Sequence, residues 1–97
     1  MVTFMQIQEL LSHPISVFRV EFNDWVEVKG PYFDLFSDCV QIKYIHSKSN
    51  KYFIEQYSMA YLSTFTEQEF LKHIIFKDHW VLDKALYRMV LPYALKR

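Results

Sequence analysis

The stretch Cys39–Leu62, CVQIKYIHSKSNKYFIEQYSMAYL, constrains the fold more than any other part of this 97-residue chain. Two runs rich in aromatic and β-branched residues flank Ser47, Lys48, Ser49 and Asn50, a polar, turn-prone cluster. That order predicts a hairpin with a loop of about four residues, and therefore an antiparallel sheet. Strand side chains alternate between faces, so Val40, Ile42, Tyr44 and His46 share one face of the first strand. On the return run Phe53, Glu55, Tyr57, Met59 and Tyr61 share one face, and Tyr52, Ile54, Gln56, Ser58, Ala60 and Leu62 the other. Both faces carry apolar area, whereas a sheet with one dry and one wet side alternates more cleanly. Part of the second face is therefore expected to be covered by a helix, another subunit or a partner.

Residues 1–97 suffice for one compact domain with a single core. An apolar fraction of 52% and an aromatic fraction of 19% exclude disorder. The only glycine is Gly30, which removes the glycine-rich phosphate and dinucleotide cradles. With Cys39 as the only cysteine, neither an internal disulfide nor a multi-cysteine zinc site can form. A lone thiol, an N-terminus without a signal-peptide pattern and no run of membrane-spanning length predict a cytoplasmic, soluble protein. Charge is neutral overall but uneven. Residues 1–38 hold two Lys/Arg against six Asp/Glu, and residues 39–97 nine against five, a split that suits either mixed solvated surface or a charged docking face.

Along the chain, Thr3 with Gln6 forms a capping-box pattern ahead of the stripe Phe4, Ile7, Leu10 and Leu11, predicting a helix over about 4–12 that Pro14 stops. His13 then lies at the negative end of that helix. From Ile15 to Lys29 the period becomes two. Phe18, Val20 and Phe22 share one face, with Arg19 and Glu21 on the other. A three-residue loop at Asn23, Asp24 and Trp25 would set Phe22 opposite Val26 and Val20 opposite Val28; a single bent strand with a bulge at Asn23–Asp24 is the alternative. Gly30–Pro31 reads as the strongest break, and Tyr32–Asp38 as a loop or short edge segment. Farther on, Thr66 and Glu69 form a second capping box, with Phe65 and Phe70 placed as a hydrophobic staple. Leu71, Ile74 and Ile75 continue that helix, Lys77-Asp78-His79 interrupts it, and a second helix over about 79–91 ends at Pro92. The fold expected is α+β: a short N-terminal helix, a three- or four-stranded antiparallel sheet, and two C-terminal helices packed on one sheet face.

No catalytic constellation emerges. Cys39 and His46 fall in one strand on opposite faces, roughly 20 Å apart at the usual rise, so no thiol–imidazole dyad forms within it; Cys39 reads as a small buried hydrophobe. His73 and His79 lie six apart, nearer opposite helix sides than one. Glu69–His73 and His79–Asp83 have the spacing of surface pairs, and Asp34 and Asp38 lack a regular element to hold them as a catalytic pair. Neither a metal nor a cofactor is expected, and the protein is not expected to be an enzyme.

The aromatic surplus in so small a domain points instead to a protein-binding module that acts by surface occupation. Size and composition place it with small inhibitors, adaptors and immunity proteins, a class that includes those carried by phages and mobile elements. The candidate interface residues are Tyr32, Phe33, Phe36, Tyr44, Tyr52, Tyr57 and Tyr61, aromatics being enriched where partners bind most tightly. The partner is another protein or a second copy of the chain, the latter making a homodimer or self-associating structural module. A regulator that binds nucleic acid through Lys72, Lys77, Lys84 and Arg88, helped by the hairpin lysines, is the alternative.

Overall fold

In a computed structural model the structure describes residues 1–77. Helix α1 (Phe4–Leu10) is followed by strands β1 (Ser16–Arg19), β2 (Asp24–Asp34), β3 (Cys39–His46) and β4 (Lys51–Ser58). A single helical turn, α2 (Met59–Leu62), leads to α3 (Glu67–Phe70), which continues as a wider π-helical segment, Leu71–Ile75. The four strands form one antiparallel meander in the order β1-β2-β3-β4. The mixed α+β class agrees with the sequence. The helix expected over 79–91 lies outside the described residues.

Both capping boxes form where the side chains predict them. Thr3 Oγ1 accepts the Gln6 N–H at 3.2 Å, and Gln6 Oε1 accepts the Thr3 N–H at 2.8 Å. Thr66 and Glu69 reciprocate in the same way at 3.1 and 2.9 Å, and the backbone N–H of Thr66, followed by its hydroxyl, holds the Glu69 carboxyl below its ordinary range. Phe65, placed as the staple, has its ring against Tyr61 and His73. The helix stops where the sequence breaks: Phe76 N–H bonds back to the Leu71 carbonyl at 2.8 Å, and Lys77 turns into the left-handed region at φ 49°.

The central hairpin also forms as expected. Its turn is Ser47–Asn50 and its register runs from His46 opposite Lys51 to Cys39 opposite Ser58. The return strand is shorter than the sequence pattern, because Ser58 Oγ accepts the Tyr61 N–H and starts α2 at Met59.

The first hairpin differs. Its register pairs Ser16 with Glu27, Val17 with Val26, Phe18 with Trp25 and Arg19 with Asp24. Residues 20–23 make the turn, with Asn23 at φ 49°. Relative to the pairing expected from Phe18, Val20 and Phe22, the strand has slipped by an odd number of residues, so the faces exchange. Val17 and Arg19 point inward and are buried, while Val20 is exposed on the turn. The apolar alternation at Phe18, Val20 and Phe22 misled because Val20 and Phe22 belong to the turn and not to the strand.

Gly30–Pro31 does not end a strand. β2 continues through it to Asp34, with a register shift between Lys29 and Tyr32 and a cis peptide between Gly30 and Pro31. Proline, having no N–H for the ladder, is accommodated at such an irregularity. Glycine is needed beside it: φ is +127°, and an added Cβ would lie 3.1 Å from the Gln41 carbonyl oxygen. The extra residue changes the alternation. Val26 and Val28 face the core before the bulge; after it Phe33 takes the inner side, opposite Val40, and Tyr32 the outer, opposite Gln41.

Inward-facing Val17, Val26, Val28, Val40, Ile42 and Tyr44 belong to one buried cluster with Ile7 and Leu10 of α1, Leu62 of α2, and Phe70, Leu71, Ile74 and Ile75 of the last helix. Arg19 lies within it at 1% exposure. Its Nη1 donates to the Phe18 carbonyl, its Nη2 to the Ile75 carbonyl, and its guanidinium lies 4.6 Å from the centre of the Tyr44 ring. A cation at the carbonyl end of a helix is favourable, which gives this buried charge a compensating site.

Candidate functional site

The alternation that seals the inner face leaves a second surface. On the outer side, in register, stand Phe18 and Trp25; then Glu27, Ile45 and Tyr52; then Lys29, Lys43 and Ile54; and then Tyr32, Gln41 and Gln56. Trp25, Tyr32, Tyr52 and Ile54 expose 44, 50, 59 and 47% of their surface. Local contacts order several of these side chains. Phe18 meets Trp25 edge to face at 6.1 Å, Lys43 Nζ lies 4.2 Å from the centre of the Tyr52 ring, and Gln41 donates to Gln56 at 3.1 Å.

The β2–β3 turn adjoins this face and carries the most exposed apolar side chains of the described residues, Leu35 at 82% and Phe36 at 102%. The turn is held by Asp34, whose carboxylate accepts from the Ser37 hydroxyl at 2.8 Å and the Phe36 N–H at 3.0 Å. These bonds, the Ser37 hydroxyl first, hold the Asp34 carboxyl below its ordinary range. A hydrogen-bonded turn thus presents apolar side chains to water, an arrangement that favours contact with another apolar surface.

Of the residues singled out from sequence, Tyr32, Phe33, Phe36, Tyr52 and Tyr61 are exposed. They do not all share a face: Phe33 is on the inner side against Phe4, and Tyr61 is on α2, stacked on Tyr57. Tyr57 is half-buried, its hydroxyl donating to Glu55 at 3.1 Å, and burial pushes its phenol well up. Tyr44 is a correction. It is fully buried, burial pushes its phenol far up, and its ring serves Arg19 and Phe53 instead of a partner. Among the described residues, the Tyr44 hydroxyl and Arg19 Nε lack hydrogen-bond partners. Trp25, Leu35 and Ile54 were missed as surface candidates: the β1–β2 register that gives Trp25 its side is not legible in spacing alone, whereas Ile54 shares the face of Tyr52 by simple alternation.

The nucleic-acid candidates fare unevenly. Lys77 is engaged by Glu55, Lys72 is exposed, and Lys84 and Arg88 lie outside the described residues. Cys39, read as a buried hydrophobe, is instead partly exposed, with its thiol donating to the Ser37 carbonyl at 3.3 Å.

One cluster of chemistry-bearing residues escaped the sequence. At the far end of the inner side, His46 Nε2 lies 3.0 Å from Asp24 Oδ2, and its Nδ1 2.6 Å from Ser49 Oγ. Phe22 stacks on the imidazole at 4.8 Å, and Lys48 Nζ lies 3.3 Å from Asp24. The His46 contact, followed by the Trp25 N–H and Lys48, lowers the Asp24 carboxyl to about 2. The residue types are those of a nucleophile triad, but Ser49 stands on an open turn. A triad also requires oxyanion donors and a recess for substrate. A hollow of about 160 Å³ lies elsewhere, between Leu11–Ser16 and Glu27–Lys29, below the size of ordinary ligand sites. These contacts form a latch that ties the β1–β2 turn to the β3–β4 turn. His46 and Ser49 could be paired from their spacing; Asp24 could not, being 22 residues away.

Among the described residues no group of three or more His, Cys, Asp and Glu converges as a metal site, and no helix is long and apolar enough to cross a membrane. Comparison with protein-family models, with curated proteins and with solved structures gave no match for this chain.

Proposed function

We propose that the protein is a small cytoplasmic binding module that acts by covering a surface of a partner protein with the outer face of its sheet and the adjoining Leu35–Phe36 turn. The observation that carries this reading is the exposure of Trp25, Tyr32, Tyr52 and Ile54 on one rigid surface. Large rings held by a sheet lose little conformational freedom on binding and supply the contact area that dominates interface energies. The chemistry suits an apolar partner surface that carries an acidic group, since Lys43 lies among the rings beside Lys29, which is paired with Glu27 at 3.8 Å. In this reading both C-terminal helices back the sheet from its inner side, and the module works as an inhibitor, adaptor or immunity protein.

Affinity capture from the native cell with wild-type protein and with the double variant Trp25→Ser/Tyr32→Ser tests it. A partner retained by wild type and lost by the variant, whose far-UV circular dichroism is unchanged, supports the reading. Identical capture by both proteins removes the outer face from consideration.

A further inference from the structure

We propose that β4 is a self-recognition edge, at which two copies of the chain pair antiparallel about a two-fold axis centred on Phe53, joining their sheets into one of eight strands. This deepens the protein-binding reading by naming one partner as a second copy of the chain.

Among the described residues the sheet has two terminal strands. β1 is only four residues long, a common way to blunt an edge, but β4 has eight, contains no proline and keeps an unbroken register with β3. Long regular edges are templates for another strand unless side-chain charges oppose it. The charges on β4 are Lys51 and Glu55, four residues apart and therefore on the same side of the strand. Opposite signs at that spacing obstruct an arbitrary strand but complement an antiparallel copy of themselves.

Geometry narrows the register further. Directly opposed residues must share a face, and a two-fold axis between two residues would set inner Tyr57 or Glu55 against outer Tyr52 or Ile54. The axis must therefore pass through a residue. Centred on Glu55, it opposes two carboxylates. Centred on Ile54, it sets Phe53 against Glu55 and Lys51 against Tyr57. Centred on Phe53, it sets Lys51 against Glu55 of the copy twice, Tyr52 against Ile54 twice, and Phe53 against itself, so each of the five facing strand positions, 51–55, is matched in charge or in apolar character. Glu55 already meets Lys77 and the Tyr57 hydroxyl on its own chain, so the second lysine completes a network instead of meeting a solvated carboxylate. Such pairing also places the two outer faces on the same side, doubling the aromatic surface available to a further partner.

The test uses the full chain. Light scattering across a dilution series should show a reversible dimer, and Lys51→Glu, which turns both cross-strand attractions into repulsions, should weaken it by about tenfold or more. Register is read by cysteines at exposed positions in a Cys39→Ser background: Tyr52→Cys mixed with Ile54→Cys should form a disulfide-linked heterodimer, while neither does so efficiently alone. A monomer at all concentrations, or a dimer indifferent to Lys51→Glu and cross-linked in another pattern, overturns the proposal. Because Trp25 and Tyr32 lie away from β4, loss of self-pairing with retained partner capture removes this inference alone, and the reverse removes only the outer-face reading.

Discussion

Arg19 offers the most decisive test of the fold, because the register of β1 alone determines whether it is inside. Replacement by alanine removes a charged hydrogen bond to the Ile75 carbonyl, worth roughly 1.5–3 kcal/mol, and its contact with the Tyr44 ring, on the order of 2 kcal/mol when desolvated. It also leaves a void of the kind that costs about 2–5 kcal/mol in large-to-small core changes. These losses are offset by relief of the buried charge, several kcal/mol in the other direction. The net expectation for Arg19→Ala is a loss of about 3 kcal/mol. Arg19→Met keeps most of the volume and removes the charge, but strands the Ile75 carbonyl, so about 1 kcal/mol should be lost. Val20→Asp, on an exposed turn, should cost no more than about 0.5 kcal/mol. Urea unfolding followed by tryptophan fluorescence reads all three. With a slope on the order of 1.5 kcal/mol/M, the Arg19→Ala midpoint should fall by roughly 2 M. A neutral Arg19→Ala together with a severe Val20→Asp would refute the register, since that is the pattern required if Val20 and not Arg19 faces the core.

Two further outcomes bear on the connections around the sheet. Asp24 has its carboxyl lowered from 3.8 to about 2 by His46 and its neighbours; a group whose folded value lies below its unfolded one adds stability that is full above about pH 4 and is lost as pH falls through about 2. The urea midpoint of Asp24→Asn should therefore fall less steeply than that of wild type over this window, and equal slopes would show that the latch does not hold Asp24. Gly30→Ala forces a side chain into φ +127° and against the Gln41 carbonyl, a strain of about 1–3 kcal/mol. Its thermal midpoint should drop by at least roughly 5 °C; an unchanged midpoint would contradict the bulge geometry.

The sequence by itself determined what depends on neighbours along the chain. Two capping boxes, each closed within three residues, and a four-residue polar turn between two β-rich runs specified α1, the start of α3 and the β3–β4 hairpin, because these signals are made and read within one turn of backbone. The tertiary structure decided what depends on parity. Whether Arg19 or Val20 faces inward turns on a one-residue choice of register, and the choice is stabilised by the Ile75 carbonyl 56 residues later. Likewise, Gly30–Pro31 carries the local letters of a chain break but becomes a bulge because β3 pairs with β2 on both sides of it. That bulge, through its single extra residue, assigns Tyr32 to the exposed face and Phe33 to the inner one; the candidate binding surface therefore exists only once the strands have paired.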